Sequence, residues 1–294
     1  MAEILRGRPV AEDIRQESQK EAAELKSHGI NPTVAIIRLG ERSDDMAYER
    51  NVITHCNAIG VDVKKYIFGA NITQDELITN IHMINADRSI HGVLLFRPLP
   101  PQFDDNAVCR TLSPEKDIDG ITNGSLAGVF TDSKAGFAPC TAQACMEILD
   151  YYGIDPQGKN VTIVGRSLVV GKPVSMLLLK KHATVTICHT KTKNMPSLCR
   201  KAEILVVAAG RANIADKNYF SAGQVVIDVG INADSNGNLC GDVNFNDAEK
   251  IVQFITPVPG GVGTVTTAVL VKHVIEAAKH TAESRCAKVI KGFV

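Results

Sequence analysis

The sequence predicts an α/β protein of two domains, and three observations support that prediction. The chain has 294 residues, a length that suggests two domains with ample hydrophobic core. Short runs rich in Val and Ile alternate with stretches of helical periodicity, as in parallel sheets covered by helices. In the second half, one such run leads through a glycine-bearing turn into a helix, which is typical of doubly wound nucleotide-binding folds.

In the first half, predicted helices and strands alternate three times. The predicted elements are a charged amphipathic helix over 10–28, a strand over 33–39, a helix from Ser43 or Asp44 to Ile59, a strand over 64–68, a helix over 75–85 and a strand from Gly92. Gly29 and Gly60 are the expected helix stops, because glycine accepts the left-handed backbone that ends a helix. The alternation predicts a parallel sheet covered by helices.

The second half continues the alternation after a predicted boundary near Thr141, which we expect to cap a helix over 142–152. The further predicted elements are strands over 161–164, 184–188, 204–208 and 225–229, and helices over 172–181 and 265–279. This is the doubly wound pattern.

The stretch from Val161 to Ser175 is the most informative in the chain. Its apolar run ends on Gly165, and Gly171 follows six residues later, just before the predicted helix. The backbone N–H groups of such a turn and a helix N-terminus can hold a phosphate. The spacing is Gly-x-Ser-x-x-x-Gly and not the full G-x-G-x-x-G, so an ordinary βα turn with a packing glycine is the alternative.

The residues after the next predicted strand indicate which dinucleotide binds. An acidic residue about 20 positions after the glycine turn would hold the ribose 2′-hydroxyl of NAD, whereas basic and hydroxyl residues favour a 2′-phosphate. This chain has His189, Thr190, Lys191 and Lys193 there and no acid. The sequence therefore favours NADP over NAD.

Two loops carry further candidate residues. Asp117 and Asp119 lie in the loop from Pro114 to Gly120, where turn chemistry is the alternative to a binding role. A Pro- and Gly-rich loop over 256–264 enters the last predicted helix, and its glycines would allow a ligand to approach the backbone. The alternative is a plain connection between two elements.

Composition excludes several classes of function. The 32 basic and 32 acidic residues balance, so there is no electrostatic footprint for nucleic acid or an anionic membrane. No apolar run reaches transmembrane length, and the N-terminus lacks the apolar core of a signal peptide. The eight cysteines include no C-x-x-C pair and no two of the eight histidines are spaced i, i+4, which argues against a metal site and for reduced thiols in a cytoplasmic protein.

Five short strings, in this order, closely resemble one known family. They are Pro114–Gly120, Phe137–Thr141, Val164–Gly171, Val226–Asn232 and Thr256–Gly263. Together they resemble the bifunctional FolD type of the methylenetetrahydrofolate dehydrogenase/methenyltetrahydrofolate cyclohydrolase family, over nearly the whole chain.

The resemblance implies a fold and a pair of ligands. It implies an N-terminal α/β folate domain of residues 1–141 plus 265–294, a Rossmann-type NADP domain of residues 142–264, and a cleft between them. It also implies an oxidoreductase of one-carbon metabolism that uses NADP and a tetrahydrofolate derivative as small-molecule ligands, forms a homodimer and needs no metal.

The resemblance also assigns roles to single residues. For the cofactor, Gly165, Arg166 and Ser167 would hold the phosphates, Thr190 would serve the 2′-phosphate, and Ile231 would face the nicotinamide half. For the folate, Asp119 would anchor the pterin ring and Tyr48 would stack along the substrate, and these two are the catalytic candidates. Phe96 and Arg97 would also contact the substrate, and Gly260 and Gly261 would line the cleft.

The chain departs from the family at two polar positions. The family helix reads Tyr-x-x-x-Lys, whereas here Tyr48 is followed one turn later by Val52, and the family's third-strand glutamine is replaced by Phe96. Hydride transfer needs orientation and proximity, but hydrolysis of the methenyl bridge needs proton transfer, typically worth ~10²–10⁴-fold. We therefore expect the dehydrogenase step to persist and the cyclohydrolase step to be lost or strongly reduced.

Two alternatives remain open at this point. A different base could supply a complete bifunctional enzyme; Arg97 is adjacent to Phe96 but stays protonated, although it could contact the folate if Pro98 bends the strand. The chain could instead be a non-catalytic folate- or nucleotide-binding protein, since its ligand-holding strings would survive there too.

Overall fold

The computed structural model describes residues 1–69, 71–234 and 237–291, with side chains described as far as Glu283. The chain forms two compact units. The first unit comprises Asp13–Ala138 and Thr267–Val294, and the second comprises Met1–Glu12 and Pro139–Thr266.

Helices and strands alternate through both units, as the sequence predicts. The strands are β1 (Glu3–Ile4), β2 (Thr33–Leu39), β3 (Asp62–Phe68), β4 (Gly92–Leu95), β5 (Asn160–Val164), β6 (Thr184–Cys188), β7 (Ile204–Val207), β8 (Val225–Asp228), β9 (Asn232–Ala233), β10 (Leu239–Cys240) and β11 (Phe254–Ile255). The helices are α1 (Gly7–Ser27), α2 (Ser43–Ile59), α3 (Gln74–Ala86), α4 (Asp105–Thr111), α5 (Asn123–Thr131), α6 (Cys140–Tyr151), α7 (Gly171–Lys180), α8 (Met195–Lys201), α9 (Phe245–Ala248) and α10 (Val262–Lys291). Single-turn 3-10 helices occupy Pro114–Lys116 and Lys217–Tyr219.

The first unit is built on a parallel sheet with the strand order β3-β2-β4. All seven residues of the central strand β2 are buried, because a strand between two neighbours and beneath helices has no solvent face. The core on one side of the sheet joins Ala35, Ile37 and Leu39 of β2 to Leu77, Ile81 and Ile84 of α3.

Local signals fix the ends of the helices in this unit. Gly60 ends α2 with φ +91°, as predicted, and its N–H donates to the Cys56 carbonyl at 2.9 Å. Thr73 and Glu76 form a reciprocal capping box at the start of α3. The predicted capping by Ser43 or Asp44 is wrong, because both lie inside α2, and the N-cap position is held by Arg42 with no side-chain cap among the described residues.

The second unit holds a parallel sheet with the strand order β1-β11-β8-β7-β5-β6. The chain runs from β5 outward to β6 and then crosses back to β7 on the other side of β5. The strand order therefore reverses at β5, and the crevice beside the carboxyl ends of β5 and β7 is the topological switch point where doubly wound sheets bind ligands.

Three details differ from the sequence expectations. Strand β1 pairs with β11, so residues 1–12 belong to the second unit although the sequence division places them in the first. Helix α6 begins at Cys140 behind Pro139, so Thr141 lies inside the helix and is not its cap. Helix α10 begins at Val262, so the last helix starts within the predicted 256–264 loop.

Candidate active site

The Gly165 turn lies at the switch point of the second unit. Gly165 follows β5 with φ +134°, a conformation that a side chain rarely accepts. A Cβ atom there would lie 2.2 Å from the Ala208 carbonyl oxygen, and one at Gly171 would lie 2.3 Å from the Gly165 oxygen. The two glycines therefore permit a close backbone approach at the N-terminus of α7, the kind of cradle that a dinucleotide phosphate occupies.

The residues between these glycines are open to ligand. Arg166, Ser167, Leu168 and Val169 are all exposed. Ser167 shapes the turn as well, because its Oγ accepts a hydrogen bond from the Val170 N–H at 3.1 Å. The guanidinium of Arg166 adds a positive charge beside a helix N-terminus, so the turn fits an anionic group.

The loop after β6 lies beside this turn. The Gly165 N–H donates to the Cys188 carbonyl at 2.9 Å, which places residue 189 next to the turn at the same edge of the sheet. His189 folds this loop, since its N–H donates to Thr192 Oγ1 at 2.9 Å and its Nδ1 accepts from the Lys191 N–H at 3.1 Å. Thr190, Lys191 and Lys193 remain exposed, so they are open to an anion.

The same edge of the sheet carries a cavity of about 230 Å³ next to β8 and β11. Its lining includes Gly230, Ile231, Gly260 and Gly261. Ile231 is 69% exposed, so its apolar side chain is open to contact at the cavity wall. The cavity therefore offers an apolar wall, suited to a flat ring, beside glycine backbone.

Two buried carboxylates that the sequence alone does not single out lie at this cavity: Asp228 lines it, and the Asp242 N–H donates to Asp228 Oδ1 at 3.0 Å. Asp228 ends β8 and Asp242 follows β10, and both are almost fully buried. They accept hydrogen bonds from backbone N–H groups of three separate loops. In the sequence, Asp228 appears only as an acid at the end of a strand, and Asp242 only as an acid after Gly241. Many surface turns share these features.

In the first unit, the predicted substrate residues Tyr48 and Phe96 are brought together. Their rings meet edge to face, with centroids 5.7 Å apart and planes at 61°, a geometry that aromatic pairs favour. The Phe96 N–H donates to the Ile37 carbonyl at 2.9 Å, so Phe96 continues the ladder at the carboxyl end of β4. Val52, one turn after Tyr48 on α2, is completely buried.

The two acids of the 114–120 loop have different environments. Asp117 is fully buried, and its carboxylate accepts hydrogen bonds from the Ile121 and Thr122 N–H groups and from Ser125 Oγ. It therefore follows the turn chemistry that the sequence analysis left open. Asp119 is only half-buried, so its carboxylate is the one that a ligand can reach.

Arg97 is paired with Asp105, the first residue of α4, through both Nε and Nη2. This hydrogen-bonded carboxylate raises the pKa of Arg97, and the negative charge of Asp119 also contributes. The arginine therefore stays protonated and presents a fixed positive charge near Asp119.

Over residues 1–69, 71–234 and 237–291, no group of three His, Cys, Asp or Glu side chains could hold a metal ion. Within the same ranges, no helix combines the length and hydropathy needed to cross a bilayer.

The doubly wound fold and the Gly165 turn define a dinucleotide-binding protein, in which the nucleotide-binding unit is joined to a second α/β unit. Residues 5–119 match the sequence profile "Tetrahydrofolate dehydrogenase/cyclohydrolase, catalytic domain". Residues 139–282 match the profile "Tetrahydrofolate dehydrogenase/cyclohydrolase, NAD(P)-binding domain". The chain belongs to the tetrahydrofolate dehydrogenase/cyclohydrolase family, and is thus an oxidoreductase with an NAD(P)-binding domain.

Individual relatives agree with this membership. The "Bifunctional protein FolD" of Clostridioides difficile (strain 630) is 48% identical over 277 residues, which cover 94% of this chain and 96% of the relative. The crystal structure of the bifunctional FolD enzyme from Campylobacter jejuni superposes with a TM-score of 0.92 at 35% identity, covering 95% of this chain and 99% of that one. The Trypanosoma brucei enzyme, solved with NADP cofactor and inhibitor, has a TM-score of 0.88 at 34% identity, covering 96% and 98%.

Proposed function

We propose that this chain oxidises 5,10-methylenetetrahydrofolate to 5,10-methenyltetrahydrofolate with NADP⁺, and that hydrolysis of the methenyl bridge is lost or strongly reduced. The observation that carries the proposal is the contrast between two sites. The Gly165 turn has two closely packed glycines and exposed residues between them, which suit a phosphate, whereas buried apolar Val52 and Phe96 stand where the resemblance implies a lysine and a glutamine.

The nucleotide would bind at the carboxyl edge of the second unit's sheet. Gly165, Arg166 and Ser167 would hold its phosphates, because the cradle between the two glycines excludes side chains and opens to solvent. Thr190 would contact the 2′-phosphate, supported by the two lysines of its loop, which favours NADP over NAD. Ile231 would pack against the nicotinamide ring beside Gly260 and Gly261.

The folate would bind in the first unit. Asp119 would accept hydrogen bonds from the pterin ring, Tyr48 would stack along it, and the charge of Arg97 would lie nearby. Bound NADP⁺ supplies the hydride acceptor. The remaining task of these residues is to orient the methylene carbon, because the cation that forms is stabilised by the folate's own nitrogens.

Hydrolysis of the methenyl bridge needs a group that activates water, and Val52 cannot move a proton. Three nearby groups are poorly suited to replace the family lysine. Cys56, one further turn along α2, is fully buried, and burial raises the pKa of its thiol to about 12. Glu49 is buried and accepts the Arg38 Nε–H at 2.6 Å. Arg97, with its pKa raised by Asp105, is a poor base.

The first experiment separates the two reactions. Methenyltetrahydrofolate is supplied without nucleotide, and the loss of its near-ultraviolet absorbance is compared with the uncatalysed rate. In parallel, NADPH formation is followed with methylenetetrahydrofolate, and NAD⁺ replaces NADP⁺ in a second series. We expect turnover with NADP⁺ and hydrolysis near the uncatalysed rate.

A clear catalysed hydrolysis would favour the complete bifunctional enzyme with a substitute base. Turnover with neither nucleotide would favour a non-catalytic binding protein.

The second experiment restores the two missing polar groups. The double variant Val52→Lys with Phe96→Gln should regain hydrolysis of methenyltetrahydrofolate by about 10²-fold over the native chain, the lower end of general acid–base contributions. Val52→Met with Phe96→Leu is the matched control, since it changes the same positions without adding a polar group. Equal hydrolysis by both double variants would show that these two positions do not explain the loss.

We also propose that the chain is a cytoplasmic homodimer, a state that the family resemblance over most of its length supports. Light scattering during size-exclusion chromatography should then give twice the chain mass of 31.6 kDa.

A further inference from the structure

Asp242 is completely buried, and its carboxylate accepts four hydrogen bonds. Three come from consecutive backbone N–H groups: Ala209 and Gly210 donate to Oδ2, and Arg211 donates to Oδ1 at 2.8 Å. The fourth comes from the side-chain amide of Asn232, which donates to Oδ1 at 2.9 Å. One carboxylate therefore joins the loop after β7 to the first residue of β9.

The three N–H groups form a concave, positively polarised site of the kind that binds anions. Gly210 allows this shape because it adopts φ +65°. The loop begins at the switch point, where the Ala208 carbonyl closely approaches Gly165. The protein's own carboxylate fills this anion site, so the loop is held in place before any ligand binds.

A second buried carboxylate holds Asp242 itself. Asp228 accepts hydrogen bonds from the N–H groups of Gly230 at 2.9 Å, Asp242 at 3.0 Å and Val243 at 3.0 Å. Side chains are excluded between the two acids, since a Cβ at Gly241 would lie 1.8 Å from Asp228 Oδ2. The two carboxylates thus hold the Gly230 backbone and the Asn232 side chain, which belong to the two neighbours of the exposed Ile231.

We propose that Asp242 is a positioning residue for nucleotide binding, which fixes the 209–211 loop and Asn232 and thereby places Ile231 against the dinucleotide. This inference rests on the proposed function and extends that function to a residue that touches no ligand. All the residues involved lie in the second unit.

The test compares Asp242→Asn with native protein in direct NADP⁺ binding by calorimetry and in steady-state kinetics. The asparagine side chain would place an NH₂ group where a carboxylate oxygen accepts hydrogen bonds. At least one backbone N–H group of residues 209–211 would then be left unpaired. We expect the Kd and KM for NADP⁺ to rise about 10- to 100-fold, while the KM for methylenetetrahydrofolate stays within about twofold.

Asp117→Asn is the matched control, because Asp117 is an equally buried carboxylate that accepts backbone N–H groups in the first unit. It should raise the folate KM and leave NADP⁺ binding unchanged. If Asp242→Asn does not fold, Asn232→Ala tests the same link at a partly exposed site, with a smaller rise in the Kd for NADP⁺.

Equal rises in both KM values for Asp242→Asn, or unchanged NADP⁺ binding in folded Asp242→Asn and Asn232→Ala, would overturn the inference. Native protein that neither binds nor reduces NADP⁺ would instead refute the proposed function, so the two failures are distinguishable.

Discussion

At the residue scale, the two aspartates of the Pro114–Gly120 loop differ in burial. Asp117 and Asp119 lie two positions apart, yet the first is fully buried in a turn and the second is half-buried. His273 on α10 adds a contact to the same segment, as its ring nitrogen Nδ1 donates to the Ile118 carbonyl at 2.8 Å. The backbone beside Asp119 is therefore fixed from two sides.

The Gly165 turn gives a prediction at this scale. Gly165→Ala places a methyl group 2.2 Å from the Ala208 carbonyl at φ +134°. The backbone must shift, and we expect the KM for NADP⁺ to rise at least ~10-fold, with stability lowered by about 1–3 kcal/mol. Steady-state kinetics and urea unfolding measure the two effects.

Gly153→Ala is the control, because Gly153 also has a positive φ of +66° but its Cβ would meet nothing within 4 Å. It should lose a similar amount of stability through backbone strain and keep the native KM for NADP⁺. A normal KM in Gly165→Ala would contradict the assignment of this turn to the nucleotide.

At the element scale, helix α2 carries Tyr48 and is joined to β2 by a buried ion pair. Arg38 Nε lies 2.6 Å from Glu49 Oε2, both side chains are about 8% exposed, and Lys65 of β3 lies 3.4 Å from Glu49 Oε1. The sequence predicts β2 and α2 but not the Arg38–Glu49 pair, because a charged residue in a strand or a helix does not indicate which residue it pairs with. Burial makes the pair costly to break, since the remaining charge loses its partner.

Glu49→Gln should therefore destabilise the protein by about 3 kcal/mol, the lower end for breaking a buried pair. It should also raise the folate KM, because the helix that positions Tyr48 is held less firmly. Lys64→Gln is the control: it breaks the exposed pair with Asp87, which is worth at most about 1 kcal/mol. Urea unfolding of both variants checks the difference, and equal losses would mean that the Arg38–Glu49 pair is not effectively buried.

At the scale of the whole molecule, the free energy of unfolding should depend on pH through Asp228. Burial raises the pKa of this carboxyl to about 6, against opposing hydrogen bonds from backbone N–H groups, and the neighbouring Asp242 carboxylate adds to the rise. Between about pH 4 and 6 the native state therefore binds a proton that the unfolded chain has lost. This proton adds stability at low pH, and the contribution disappears as the pH rises through 6.

Comparing native protein with Asp228→Asn isolates the Asp228 carboxyl from the other titrating residues. The stability of native protein relative to Asp228→Asn should fall by about 2 kcal/mol from pH 4.5 to pH 7.5. Urea unfolding at the two pH values measures it. A difference that grows with pH would mean that the carboxyl is ionised in the native state across this range.

The α/β class, the order of most elements and the family could all be predicted from the sequence. These follow from signals that are local in the chain: apolar periodicity, the stop at Gly60, and the glycine turn at Gly165. Short strands such as β1 and β11 were missed, because two residues carry no periodicity and form a strand only by pairing with distant neighbours.

Which side chains meet and which are buried became clear only from the three-dimensional structure. It brought Tyr48 to Phe96, separated Asp117 from Asp119 by exposure, and joined three loops on Asp228 and Asp242. The physical reason is that hydrogen bonding and desolvation depend on residues far apart in the chain, whereas periodicity and turn preferences act over a few neighbours.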